Sequence, residues 1–68
     1  MGKDELKRIA DDITGVSTLV EATLERNEFY IYTEVWFMTT EQLDRIREKV
    51  NITAISVDGG RIMLTAKV

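Results

Sequence analysis

The chain has 68 residues, a net charge of −3 and an apolar share of 44%. A domain of this size buries only about 60% of the surface that its unfolded chain exposes, so small domains often depend on disulfides, a metal or a partner subunit. The chain has no cysteine and no histidine, which excludes disulfides, the usual zinc and haem sites, and cysteine or histidine catalysis. We therefore expect no cofactor and no metal, and either a partner subunit or a tightly packed monomer.

The first predicted element is a helix over residues 4–13. Its apolar residues follow the helical spacing i, i+3, i+4 and i+7, and they are Leu6, Ile9, Ala10 and Ile13. Gly15 predicts the end of this helix. No apolar signal region precedes the helix, and no segment approaches the ~20 apolar residues of a membrane span. We expect a cytoplasmic protein with no membrane contact.

Two alternating segments follow, at residues 16–25 and 29–38, and predict a β-hairpin. In the first segment the side chains expected to face inward are Val16, Thr18, Val20, Ala22 and Leu24. In the second segment the expected inward set is Phe29, Ile31, Thr33, Val35 and Phe37, and the opposite set is Tyr30, Tyr32, Glu34, Trp36 and Met38. Large apolar groups on both faces are typical of a strand inside a sheet. Between the strands, Arg26, Asn27 and Glu28 predict a polar turn.

The second half of the chain predicts a helix and another hairpin. Thr39 and Gln42 fit a capping box at the helix start, and Leu43, Ile46 and Val50 form its buried stripe. Residues 52–57 and 61–68 predict strands, joined by a tight turn at Asp58-Gly59-Gly60. On the last strand the side chains on one face are Ile62, Leu64, Ala66 and Val68.

The two halves repeat one pattern, because Glu5–Ile9 followed by Ile13 resembles Gln42–Ile46 followed by Val50. A unit that cannot bury its own apolar face packs against its copy. The prediction is one α+β domain over residues 1–68, a two-layer sandwich of αββαββ pseudo-repeats at 3–38 and 39–68. Its four-stranded antiparallel sheet has both helices on one face.

A pseudo-twofold axis between the halves allows the strand orders 1-2-4-3 and 2-1-3-4. We favour 1-2-4-3 because it places the doubly apolar segment 29–38 inside the sheet. A curled half-barrel sheet completed by another subunit is the alternative.

The open face of this sheet is the candidate functional surface. Tyr30, Tyr32 and Trp36 are expected on one side of a strand, at i, i+2 and i+6. The other candidate residues are their expected neighbours Leu19, Met38, Met63, Arg61 and Lys67. Exposed aromatic patches mark interfaces, so we interpret the chain as a non-catalytic interaction protein, a homo-oligomer or the binder of a protein partner. Alternatively, the rings pack as a second small core.

A ligand-binding module is the second interpretation, with the same rings stacking on a single-stranded nucleic acid or a small molecule. Glu21, Glu25 and Glu34 are expected on this face and would repel phosphates, so nucleic acid is disfavoured. Asp11 and Asp12 resemble a catalytic or metal-binding carboxylate pair. Because adjacent helix positions diverge by ~100°, we interpret these two residues as solvated surface.

Overall fold

The computed structural model describes residues 2–24 and 27–68 of the chain. Within these residues, two helices and four strands follow one another in the predicted order: α1 (Lys3–Thr14), β1 (Leu19–Ala22), β2 (Glu28–Tyr32), α2 (Thr40–Lys49), β3 (Asn51–Asp58) and β4 (Arg61–Lys67). The predicted α+β class is confirmed. No helix in the described part of the chain combines the length and the apolar character that a membrane span requires.

The strands form one antiparallel sheet in the order β1-β2-β4-β3. This confirms the order favoured from the sequence, with β2 inside the sheet. Both helices pack on the same face of the sheet. The internal repeat and the division of the chain at residue 38 stay predictions.

The core lies between the two helices and the sheet. It contains Leu6, Ala10, Ile13, Val20, Ile31, Ile46, Val50, Ile62, Leu64 and Ala66. On each helix the buried residues come from the stripe predicted by 3.6-residue periodicity, while Ile9 and Leu43 are partly buried beside it.

The local signals at turns and helix ends are confirmed. Gly15 ends α1 with φ of 75°, and the Thr39 hydroxyl accepts a hydrogen bond from the Gln42 N–H while the Gln42 side chain accepts one from the Thr39 N–H. Gly59 and Gly60 both have positive φ between β3 and β4. In the first hairpin, Asn27 has φ of 60°, whereas Arg26 and Glu25 lie outside the described residues.

Strand β1 is much shorter than the predicted segment 16–25. The Thr18 N–H donates to the Asp11 carboxylate rather than to a strand, at 2.7 Å, so pairing with β2 begins only at Leu19. Thr18 and Val20 are buried as predicted, but Ala22 and Leu24 are exposed. Ala22 still lies on the helix side of β1, as the cross-strand partner of Phe29, so its predicted face is right and only its expected burial is wrong. Leu24 follows the end of β1 and is fully exposed, so its inward assignment is wrong.

Strand β2 also ends earlier than predicted, at Tyr32 rather than at residue 38. The N–H of Thr33 donates to the carbonyl of Ile62, and the N–H of Ile62 donates to the carbonyl of Val35, each at 2.9 Å. Two residues of one chain segment thus bond to a single residue of β4, which turns the segment out of the sheet. Phe37, expected inside, is 58% exposed.

Strands β3 and β4 extend over nearly the predicted segments, with β3 one residue longer at each end and β4 ending at Lys67. The pairing of β3 with β4 shifts between Ile52 and Ala54, which leaves Thr53 as an extra residue. Val68 follows the strand and is partly exposed rather than buried.

Candidate interaction surface

Two tyrosines of β2 form the centre of the open sheet face. Tyr30 and Tyr32 lie opposite the helices, because Ile31 between them is buried in the core and side chains alternate along a strand. The centroids of the two rings are 6.2 Å apart and the ring planes are inclined by 65°. Such an edge-to-face arrangement is favourable for aromatic pairs, so the two rings stabilise each other.

Apolar side chains flank Tyr32 on both neighbouring strands. Leu19 on β1 and Met63 on β4 are its direct cross-strand partners. Leu19 is 44% exposed, and Met63 is half-buried. Ser56 on β3 continues the same row beyond Met63. The structure therefore brings these two predicted neighbours together with the tyrosines.

A cation lies over this aromatic group. The guanidinium carbon of Arg61 is 5.0 Å from the centroid of the Tyr32 ring, and Arg61 Nη1 is 3.8 Å from Glu34 Oε1. Tyr32 and Arg61 are both half-buried, and a cation over a ring that solvent still reaches is worth about 0.5–1 kcal/mol. The stack restricts both side chains before any partner arrives.

The remaining charges of the face are mixed in sign. Glu21 lies directly across from Tyr30, and Lys67 lies between Glu28 and Asn51 in the register of the sheet. Glu25, which was expected here, lies outside the described residues.

Trp36 and Met38 do not join the row of tyrosines, so that part of the predicted geometry is wrong. Trp36 follows the end of β2, is 72% exposed and contacts Phe37, with ring centroids 5.2 Å apart. Met38 is partly buried and packs against the core instead of the open face. The turn at Thr33–Val35 causes both displacements, because it ends the alternation that the prediction extended to residue 38.

The Trp36–Phe37 pair lies at the same end of the molecule as the tip of the second hairpin. The N–H of Ile62 donates a hydrogen bond to the carbonyl of Val35, next to Trp36. Ile62 is also the cross-strand partner of Val57, near the tip of the hairpin. Val57 is 70% exposed. Several large apolar side chains are therefore uncovered at this end, which is the pattern of an interface.

The exposed apolar side chains of the outer strand β3 are the feature that sequence reasoning missed. Ile55 and Val57 lie on the helix side of the sheet, opposite the buried Leu64 and Ile62. Yet Ile55 is 51% exposed, because the helices do not cover this margin of the sheet. Periodicity assigns a residue to a face but does not say how far a helix reaches. One available signal was composition, since Asn51–Asp58 contains no lysine, arginine or proline, the residues that usually protect an edge strand.

Asp11 has a structural position rather than the solvated one expected for it. Its Oδ1 accepts hydrogen bonds from the N–H and the hydroxyl of Thr18, each at 2.7 Å, and its Oδ2 pairs with Lys7 Nζ at 2.9 Å. Partial burial alone would raise the pKa of Asp11, but the bonds from Thr18 and Lys7 outweigh it and lower the pKa. Lys7 also donates to the Thr18 carbonyl. These contacts fasten the start of β1 to α1.

Among the described residues, no group of three or more His, Cys, Asp or Glu side chains comes together to hold a metal ion. Comparison of the chain with protein-family models, with curated proteins and with solved structures finds no match.

Proposed function

We propose that this chain is a small, non-catalytic interaction protein that binds a protein surface, either a second copy or a different chain, through its open sheet face. The main support is the stack of Arg61 on Tyr32 beside Tyr30, on the face that the helices leave uncovered. A cytoplasmic setting belongs to the same proposal.

The chemistry of the face suits a protein partner. Tyrosine and arginine are enriched among residues that dominate binding energy at interfaces. A restricted ring and guanidinium lose less conformational entropy on binding than mobile side chains do. Leu19 and Met63 add apolar area on both sides of Tyr32, and the mixed charges around them match a protein surface better than a phosphate backbone.

Site-specific photocrosslinking tests this proposal in the cells that make the protein. A photoreactive benzoyl-phenylalanine at position 32 should form one discrete adduct, whose second component is identified by mass spectrometry. The same group at position 48 on the exposed side of α2 is the matched control. Adding Tyr30→Ala should weaken the adduct from position 32. Equal labelling from positions 32 and 48, or none from position 32, would refute an interface on this face.

A ligand-binding module is the second candidate, and the arginine–tyrosine stack is the observation that favours it. A planar base or ring could stack on Tyr30 beside this cation. NMR titration of the tyrosine ring signals with mixed oligonucleotides should then show shifts that weaken as salt increases. Ring signals that stay constant at low salt would remove the nucleic-acid version.

A further inference from the structure

The free edge of β3 is a long, uncharged strand margin. β3 has eight residues and, in the part of the chain that the structure describes, pairs with β4 alone, so its other side is the outer edge of the sheet. Asp58, at its end, is its single charged residue. An edge of this kind presents unpaired N–H and C=O groups that act as a template for another strand.

The hydrogen bonds of β4 determine which groups of β3 point outward. Ile62 directs its N–H and C=O toward Val35 and Thr33, on the β2 side. Backbone groups alternate sides along a strand, so Arg61 and Met63 bond to β3, through their partners Asp58 and Ser56. The N–H and C=O groups of Ile55 and Val57 therefore point to the free edge. These two residues also carry the exposed apolar side chains of the strand.

An antiparallel copy of β3 matches this edge in one register. With Ser56 opposite Ser56 of the second copy, each Ile55 lies opposite Val57 of the other chain. These are the residues whose backbone groups point outward, so they exchange both hydrogen bonds. The bulge at Thr53 stays outside this regular region.

The side chains are complementary in the same register. Ile55 and Val57 of the two copies form an apolar cluster on the helix side, which covers groups that a lone chain exposes. Asp58 lies opposite Ala54 of the other chain, and the two Asp58 residues are about 14 Å apart along the strands, at ~3.4 Å per residue. No like charges oppose each other.

We propose that two copies of this chain pair through β3, antiparallel and centred on Ser56, to form one continuous eight-stranded sheet with all helices on one side. The cross-strand row of Leu19, Tyr32, Met63 and Ser56 then continues across the twofold axis into the same row of the second copy. The two open faces become one broad surface. The pairing does not depend on what binds the aromatic face.

Disulfide trapping tests this register directly, because the natural chain has no cysteine. Opposed residues of a non-hydrogen-bonded pair have Cα atoms about 4.5 Å apart, within the range of a disulfide. Ser56→Cys should therefore form a covalent dimer rapidly under mild oxidation. The matched control is Ala54→Cys, exposed on the same strand and face, whose copies lie about 14 Å apart along the strands in this register. It should form a dimer at least tenfold more slowly.

Sedimentation of the unmodified chain supplies the second measurement. The wild type should show twice the 7.8 kDa monomer mass as its concentration rises. Val57→Lys places two charges beside the axis and should return the chain to the monomer without changing its circular dichroism. Leu24→Lys introduces the same charge at a fully exposed apolar site away from β3 and should leave the dimer intact.

Four results would overturn the pairing. The first is equal trapping rates for the two cysteine variants, and the second is a wild-type monomer at millimolar concentration. The third is a dimer that survives Val57→Lys. A monomeric chain whose Ile55 and Val57 signals shift on adding an unrelated extended peptide would also overturn it, in favour of an edge that accepts a foreign strand. Photocrosslinking from position 32 tests the aromatic face, whereas disulfide trapping and sedimentation test the pairing of β3. Failure of one proposal can therefore be distinguished from failure of the other.

Discussion

The two edges of the sheet differ, although both belong to hairpins that follow a helix. β1 has four residues, and its Val20 is buried under the helices while Asp11 and Lys7 hold the segment before it. β3 has eight residues, and its Val57 is largely exposed. One edge is short and fastened to a helix, whereas the other is long and uncovered. The comparison indicates which side of the molecule is available for association.

The largest expected effect comes from one substitution made on both edges. Val20→Ala removes two buried methyl groups and should lower the free energy of unfolding by about 2 kcal/mol. Val57→Ala should lower it by less than about 0.5 kcal/mol when measured on dilute monomer. Urea unfolding of both variants gives the comparison. Equal losses would show that the two edges are covered to the same extent.

Asp11→Asn should have the next largest effect, because it weakens the contacts that fasten β1 to α1. We expect a loss of about 1–2 kcal/mol at neutral pH, the usual result of disturbing hydrogen bonds to a charged group. Asp12→Asn, on the exposed side of the same helix, is the control and should change stability by less than about 0.5 kcal/mol.

The same residue predicts a pH dependence. The pKa of Asp11 is lower in the folded chain than its ordinary value, so its contribution is fully present above the unfolded pKa, about 3.9, and is lost as pH falls through the folded value. Urea midpoints between pH 6 and pH 2 should fall less steeply for Asp11→Asn than for wild type. Parallel curves for the two proteins would contradict the assigned role.

The smallest expected effect is that of Trp36→Ala. The ring is exposed and contacts Phe37 rather than the core, so stability should change by less than about 0.5 kcal/mol. Light scattering should show the same mass as for wild type, because the self-association that we propose uses the edge of β3. A complete loss of the dimer would move the self-contact to the Trp36 segment.

The sequence predicted the features that depend on neighbouring residues. The capping box at Thr39, the stop at Gly15 and the turn at Gly59-Gly60 each require only local chemistry. The strand order also followed, because β2 is apolar on both faces and has to lie inside the sheet.

The features that depend on distant partners were predicted poorly. Alternation continues past Tyr32, but the bonds of Thr33 and Val35 to the same residue of β4 end the strand, and no local pattern reveals that partner. Alternation also starts before Leu19, where the Asp11 carboxylate takes the Thr18 N–H. The first error comes from a bulge contact between segments far apart in the chain, and the second comes from a side-chain contact between a helix and the loop that follows it.

Amide hydrogen exchange at two protein concentrations tests the difference between the edges most directly. On β1 the outward N–H groups belong to Val20 and Ala22, since Thr23 bonds toward β2 and the groups alternate. The N–H groups of Ile55 and Val57 should exchange more slowly as concentration rises, while those of Val20 and Ala22 keep the same rates. Rates at Ile55 and Val57 that do not depend on concentration would contradict the account.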